Sequence, residues 1–248
     1  MGWGRWHRFV LAVVVVGAQL APAAPARGVT PELLPDLGML PPADFSIQSR
    51  PRGERWLRFS AVVANIGPGV FDVYGFGTGA ERSVVQRIQH EGGGWTYLPS
   101  TATMFYAGDG HNHWHVRDLQ EWTLTAEQPN ATVLRSGAKR GFCFWDNYAY
   151  PGTGPKLYSG STSCHVAGDG SIPMGLSVGW GDKYPATISG QYIDISGLPN
   201  GRYRVTLVAD QDEEFVEADE SNNTSWALIE ITRKSVRVVS SGTALPGP

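Results

Sequence analysis

Arg202-Tyr203-Arg204-Val205-Thr206-Leu207 reads as one half-buried β-strand. Tyr203, Val205 and Leu207 fall on one face and Arg202, Arg204 and Thr206 on the other, the period of two that a pleated chain imposes. Residues 192–195 and 226–231 flank it as two further strands. Upstream, Leu57, Phe59, Ala61 and Val63 alternate with Arg58, Ser60 and Val62, a half-buried strand, before Gly67-Pro68-Gly69 turns the chain into 70–76. Short strands bounded by Gly, Ser or Pro are expected at 84–88, 95–98, 104–106, 121–124, 133–134 and 142–145, with 121–124 extending or pairing with the segment just before it. No window carries a strong helical period. The fold class is therefore all-β, a single sandwich-like domain of short antiparallel strands with long loops and little helix.

The ends and the composition bound the rest. Arg5, His7 and Arg8 precede an apolar run, 9–20, too short to cross a bilayer comfortably, and Ala24-Pro25-Ala26 offers a small-residue cleavage site. Residues 1–26 thus read as a secretory signal, which implies a secreted, extracellular protein with no stable membrane insertion after cleavage. A proline-rich extended arm (27–55), the main domain (56–232) and a frayed tail (233–248) follow. The net charge is −3 and no basic tract occurs, which argues against nucleic acid as a partner. Cys143 and Cys164 are the chain's two cysteines. In an exported chain a pair most simply means one disulfide, with two buried thiols or two thiolate ligands as the alternatives. Residues 147–182, dense in Gly, Ser, Tyr and Pro, read mostly as loop.

The stretch that carries chemistry is Gly108-Asp109-Gly110-His111-Asn112-His113-Trp114-His115-Val116. On an extended strand its three imidazoles leave on one side, and their Cα atoms span about 13 Å at roughly 3.3 Å per residue. Neutral imidazole suits copper, zinc, nickel and iron, so a metal site is expected rather than a solvated polar face. The other histidines, His7, His90 and His165, lie elsewhere in the sequence.

Three further stretches follow in order: Lys139-Arg140-Gly141-Phe142-Cys143-Phe144-Trp145-Asp146; Gly175 to Tyr184, running into Gln191-Tyr192-Ile193-Asp194-Ile195; and Glu217-Ala218-Asp219-Glu220-Ser221-Asn222-Asn223. With the histidine stretch they resemble the lysyl oxidase family, copper-dependent amine oxidases that act on peptidyl lysine, over 34–231. The resemblance makes 56–232 a lysyl oxidase-like catalytic domain and implies Cu2+ on His111, His113 and His115. It also implies a lysine tyrosylquinone formed from Lys139 and Tyr184, after copper has oxidised the tyrosine and the long loop between them has carried one toward the other. Primary amines, protein lysine among them, and dioxygen would be the partners; aldehyde, ammonia and hydrogen peroxide the products. Asp118 matches an acidic position that follows the family's copper histidines and is the expected base. Trp122 stands where the animal enzymes carry a histidine considered for proton transfer, and an indole does no acid–base work. The chain also has one cysteine pair where the animal enzymes carry several disulfides, and a longer loop between Lys139 and Tyr184.

Some members of that family bind calcium through the fourth stretch and an Asp-Leu pair near the start of the domain. Here this implies Ca2+ on Asp36, Leu37, Glu217, Asp219, Asn222 and Asn223, an oxygen-rich set; an acidic hairpin loop is the plain alternative. Asn130-Ala131-Thr132 and Asn222-Asn223-Thr224 match the glycosylation pattern weakly. The rival to an oxidase is a non-catalytic exported β-sandwich that binds copper or zinc or serves in adhesion; only the oxidase needs Lys139 joined to Tyr184.

Overall fold

A computed structural model describes Met1 and residues 30–108, 112–128, 131–151 and 154–245. The signal segment, apart from Met1, and His111, Asn130 and the last three residues lie outside that description. The arm forms strands β1 (Glu32–Leu33), β2 (Leu37–Met39) and β3 (Ala43–Ser49), extended as its prolines require. Then come β4 (Arg55–Asn65), β5 (Phe71–Phe76), β6 (Glu81–His90), β7 (Trp95–Tyr106), β8 (Trp114–Arg117) and β9 (Gln120–Ala126). Short pieces follow: β10 (Val133–Ser136), β11 (Gly141–Phe142), β12 (Tyr148–Ala149), β13 (Ile172–Leu176), β14 (Trp180–Tyr184) and β15 (Tyr192–Asp194). The chain closes with β16 (Gly201–Ala209), β17 (Thr224–Ile231) and β18 (Val236–Thr243). Among the described residues the helical pieces are two 3-10 turns, Pro51–Gly53 and Glu220–Asn222, so the all-β expectation holds.

The strands pair antiparallel in three sheets, ordered β11-β8-β7-β6-β5-β13, β10-β9-β16-β17-β18 and β12-β14-β4-β15, with β1 on β6 and both β2 and β3 on β4. β16 shows the alternation its sequence announces, with Tyr203, Val205, Leu207 and Ala209 buried and the intervening residues part-exposed. These residues join Phe59, Trp122, Leu124 and Phe142 in one continuous core, where each fully buried large side chain contributes about 1.5–3 kcal/mol.

Five local expectations change. First, β4 is not half-buried: from Phe59 to Asn65 every residue is buried. It is the centre of its sheet, paired on both edges along that half by β2 and β14, and side chains on both of its faces are buried. Second, 95–98 and 104–106 are one strand, β7. Third, 121–124 neither extends nor pairs with the histidine strand. Asp118 turns the chain with φ +54, and β9 joins β10 and β16 in another sheet. Fourth, the 147–182 region contains β12, β13 and part of β14, each recruited by a distant partner. Fifth, 236–243 is not frayed: it pairs with β17 from Ser225↔Thr243 to Ile231↔Val236, covering backbone groups that an edge strand leaves open.

Candidate active site and cation site

β8 lies between β7 and β11, with Phe105 opposite His115 and Phe142 opposite Val116. The strand begins only at Trp114, because Asn112 sits in the left-handed region (φ +53). His113 is therefore outside the regular strand, although the extended reading put it inside. The two imidazoles still converge, Nε2 to Nε2 at 2.8 Å. That spacing matches two nitrogens each about 2.0 Å from one ion at a right angle. With His115 buried and His113 half-buried, this donor pair fits a first-row metal ion.

Gly141 makes room for His115. A Cβ there would lie 2.6 Å from His115 Nδ1 and 2.5 Å from the Phe105 ring, so only glycine lets β11 approach the ligand strand. The Cys143–Cys164 disulfide is formed, with Cα atoms 5.8 Å apart. It holds the segment after β12 against the histidine strand, where Trp114 N–H donates to the Cys164 carbonyl at 2.9 Å. His165, next in sequence, comes within 6.0 Å of His113, ring centre to ring centre. The sequence alone sets it apart from the other two, because nothing local shows that the crosslink delivers it here.

Lys139 is buried, with Nζ 5.1 Å from the centre of the Tyr184 ring and 5.4 Å from that of Phe142. Tyr184 is fixed at its far end: its hydroxyl donates to the Cys143 carbonyl at 2.6 Å and accepts from Cys143 N–H at 2.8 Å. The loop between the two residues need not carry one to the other, since they already face across one space. Burial, and then the nearby Asp182 carboxylate, push the Tyr184 hydroxyl well above the usual phenol range. Asp182 is itself pushed up to about 8 by burial, although Tyr184, Asn147 and Lys139 each pull the other way.

These groups share one cavity of about 620 Å3, lined by His113, His115, His165, Lys139, Asp182 and Tyr184, with Trp145, Pro185 and Ile188 supplying apolar wall. Asp118 is not among the lining residues. It ion-pairs with Arg140 at 2.8 Å, the carboxylate part-exposed and the guanidinium exposed. Trp122 is fully buried against Phe59 and Phe142 and serves as core.

The second cluster joins the arm to the turn after β16. Glu217 accepts from Leu37 N–H through Oε2 and from Asn223 Nδ2 through Oε1 at 3.1 Å, and Asn222 Nδ2 donates to Asp36 Oδ1 at 2.7 Å. The Oδ1 atoms of Asn222 and Asn223 are buried and accept no hydrogen bond from the described residues. Carboxylate oxygens of Asp210, Glu217 and Glu220 lie within 4.8 Å of one another, and burial pushes Glu217 up to about 9. Buried amide oxygens without donors beside crowded carboxylates fit a hard cation. Asp219 is exposed and caps the following 3-10 turn through Ser221. Glu220 lies in the fourth stretch but outside the expected ligand set, and Asp210 lies outside both; Asp210 reaches the cluster because β16 ends beside it.

Converging imidazoles and a buried lysine–tyrosine pair thus line one cavity of an all-β chain. The family model for lysyl oxidase matches residues 86–241. The chain belongs to the lysyl oxidase family. It is 33% identical over 116 residues to lysyl oxidase homolog 2 of Homo sapiens, and equally to that of Pongo abelii. It is 27% identical over 113 residues to lysyl oxidase homolog 3A of Danio rerio. Each match covers 46% of this chain but 14% of the relative.

Proposed function

We propose that this chain is a secreted, copper-dependent amine oxidase that converts primary amines to aldehydes with release of ammonia and hydrogen peroxide. The observation that carries this reading is the 5.1 Å approach of Lys139 Nζ to the Tyr184 ring in the cavity that holds His113 and His115. His111, His113 and His115 would hold copper. A quinone derived from Lys139 and Tyr184 would supply the electrophilic carbonyl and two-electron acceptor that amine oxidation requires.

The chain's own residues supply position and environment. The Cys143 backbone fixes the Tyr184 hydroxyl, which holds the ring in place beneath Lys139 Nζ. Phe142 packs edge-on to the Tyr184 ring at 5.4 Å and holds it against rotation. Trp145, Pro185 and Ile188 favour the alkyl part of an amine and exclude water from it. The cluster around Glu217 would bind calcium and fasten the arm to the domain.

Copper-loaded protein should yield one crosslinked peptide containing Lys139 and Tyr184, with a visible absorbance that phenylhydrazine shifts. Peroxide release from primary amines should vanish in Lys139→Ala and in Tyr184→Phe. Separate peptides and no peroxide would leave a metal-binding module.

A further inference from the structure

Asp182 leaves β14 two residues before Tyr184, on the same side of the strand. It is 2% exposed and lines the cavity. Its Oδ1 accepts from Asn147 Nδ2, while Oδ2 is buried and makes no hydrogen bond among the described residues. A buried carboxylate kept for structure is normally saturated with donors. Neighbouring Asp146 shows this, accepting from Leu157 N–H, Tyr158 N–H, Ser177 N–H and Ser177 Oγ–H. Asp182 is held by one oxygen and left open at the other, beside the lysine and the tyrosine.

We infer that Asp182 is the general base of the amine oxidation, its Oδ2 taking a proton from the substrate carbon that bears the nitrogen. This rests on the oxidase reading above. The C–H bond would break with its proton on Asp182, a C=N bond would form in its place for water to hydrolyse to aldehyde and ammonia, and a quinone derived from Lys139 and Tyr184 would take up the two electrons. Dioxygen would accept those electrons with two protons, one from Asp182 and one from the substrate nitrogen, and leave as hydrogen peroxide. Asp118 is poorly placed for this role: it is outside the cavity wall and neutralised by Arg140.

The charged and titratable groups around Asp182 agree with the assignment. The Tyr184 hydroxyl, then Asn147 and Lys139, favour its ionised form and Asp146 opposes it; His113, His115 and His165 line the same cavity. Burial outweighs the rest and lifts the carboxyl to about 8, near the pH at which a base is most effective.

The test uses full-length, copper-loaded protein with benzylamine and its α,α-dideuterated form as probes. Asp182→Asn keeps the shape and removes the base. It should bind phenylhydrazine to the wild-type stoichiometry, yet bleach with benzylamine in the absence of oxygen at least about 100-fold more slowly. Asp182→Glu should recover part of that rate together with the deuterium effect. Bleaching of Asp182→Asn at the wild-type rate overturns the assignment. If Asp182→Asn forms no phenylhydrazine adduct, Asn147→Ala decides. Losing the donor to Oδ1 should move the acid limb of the bleaching rate upward by about one pH unit, and an unmoved limb overturns the assignment. A wild-type protein that gives no adduct is a separate failure, of the oxidase reading itself, and overturns this one with it.

Discussion

Glutamine in place of Glu217 should flatten the pH dependence of stability in calcium-free protein. Burial lifts the Glu217 carboxyl from 4.5 to about 9, so the folded state holds a proton that the unfolded chain gives up. The stability tied to that proton is complete below pH 4.5 and is lost as pH rises toward 9. At about 1.36 kcal/mol per pH unit, the loss between pH 4.5 and 7 comes to about 3 kcal/mol. For a domain of this size that corresponds to roughly 10 °C in Tm. Calcium among the oxygens of Glu217, Asn222, Asn223 and Asp36 would supply the missing positive charge and restore Tm by mass action. Asp182, also raised by burial, adds a slope of the same sign that calcium does not touch, so the difference between wild type and Glu217→Gln isolates Glu217. Scanning calorimetry of chelated protein from pH 5 to 8, with and without millimolar calcium, measures it. Parallel curves for the two proteins, with no calcium response in either, would refute the reasoning.

Further perturbations separate the parts of the active site. His113→Ala should lose most bound copper by atomic emission, since it removes one of two nitrogens that meet at 2.8 Å; unchanged stoichiometry would move the site elsewhere. Replacing Cys143 and Cys164 together by serine should cost roughly 3 kcal/mol in chemical denaturation and free His165 from His113. Gly141→Ala puts a Cβ within 2.6 Å of His115 Nδ1, so it should cost about 1–3 kcal/mol and weaken copper binding in the same titration.

What was legible beforehand follows from how local each signal is. The alternation in β16 appears in the folded chain residue by residue, and the two cysteines had one another as partner. The stretches bearing His113, His115, Lys139 and Tyr184 could be placed on short strands and their loops. The same local reading put His113 inside a strand that starts one residue later, because the backbone turn at Asn112 leaves no mark on side-chain period. It gave β4 one buried face, because nothing in Leu57, Phe59, Ala61 and Val63 says that distant segments will pack over both sides of that strand.

By itself, then, the sequence determined the all-β class, the imidazole pair and the residue types of both sites, because pleating and ligand chemistry act on neighbouring residues. Tertiary structure alone decided that Lys139 lies over the Tyr184 ring, that His165 joins His113, and that Asp210 and Glu220 crowd Glu217. It also decided that Asp118 stays outside the cavity while Asp182 is buried in its wall. The contacts of Lys139, His165 and Asp182 join segments tens of residues apart, fixed by strand pairing and one disulfide, whereas Asp210, Glu217 and Glu220 meet within the single turn that follows β16. Burial, which sets the charge state of Asp182 and Glu217, exists only once those segments have closed around them.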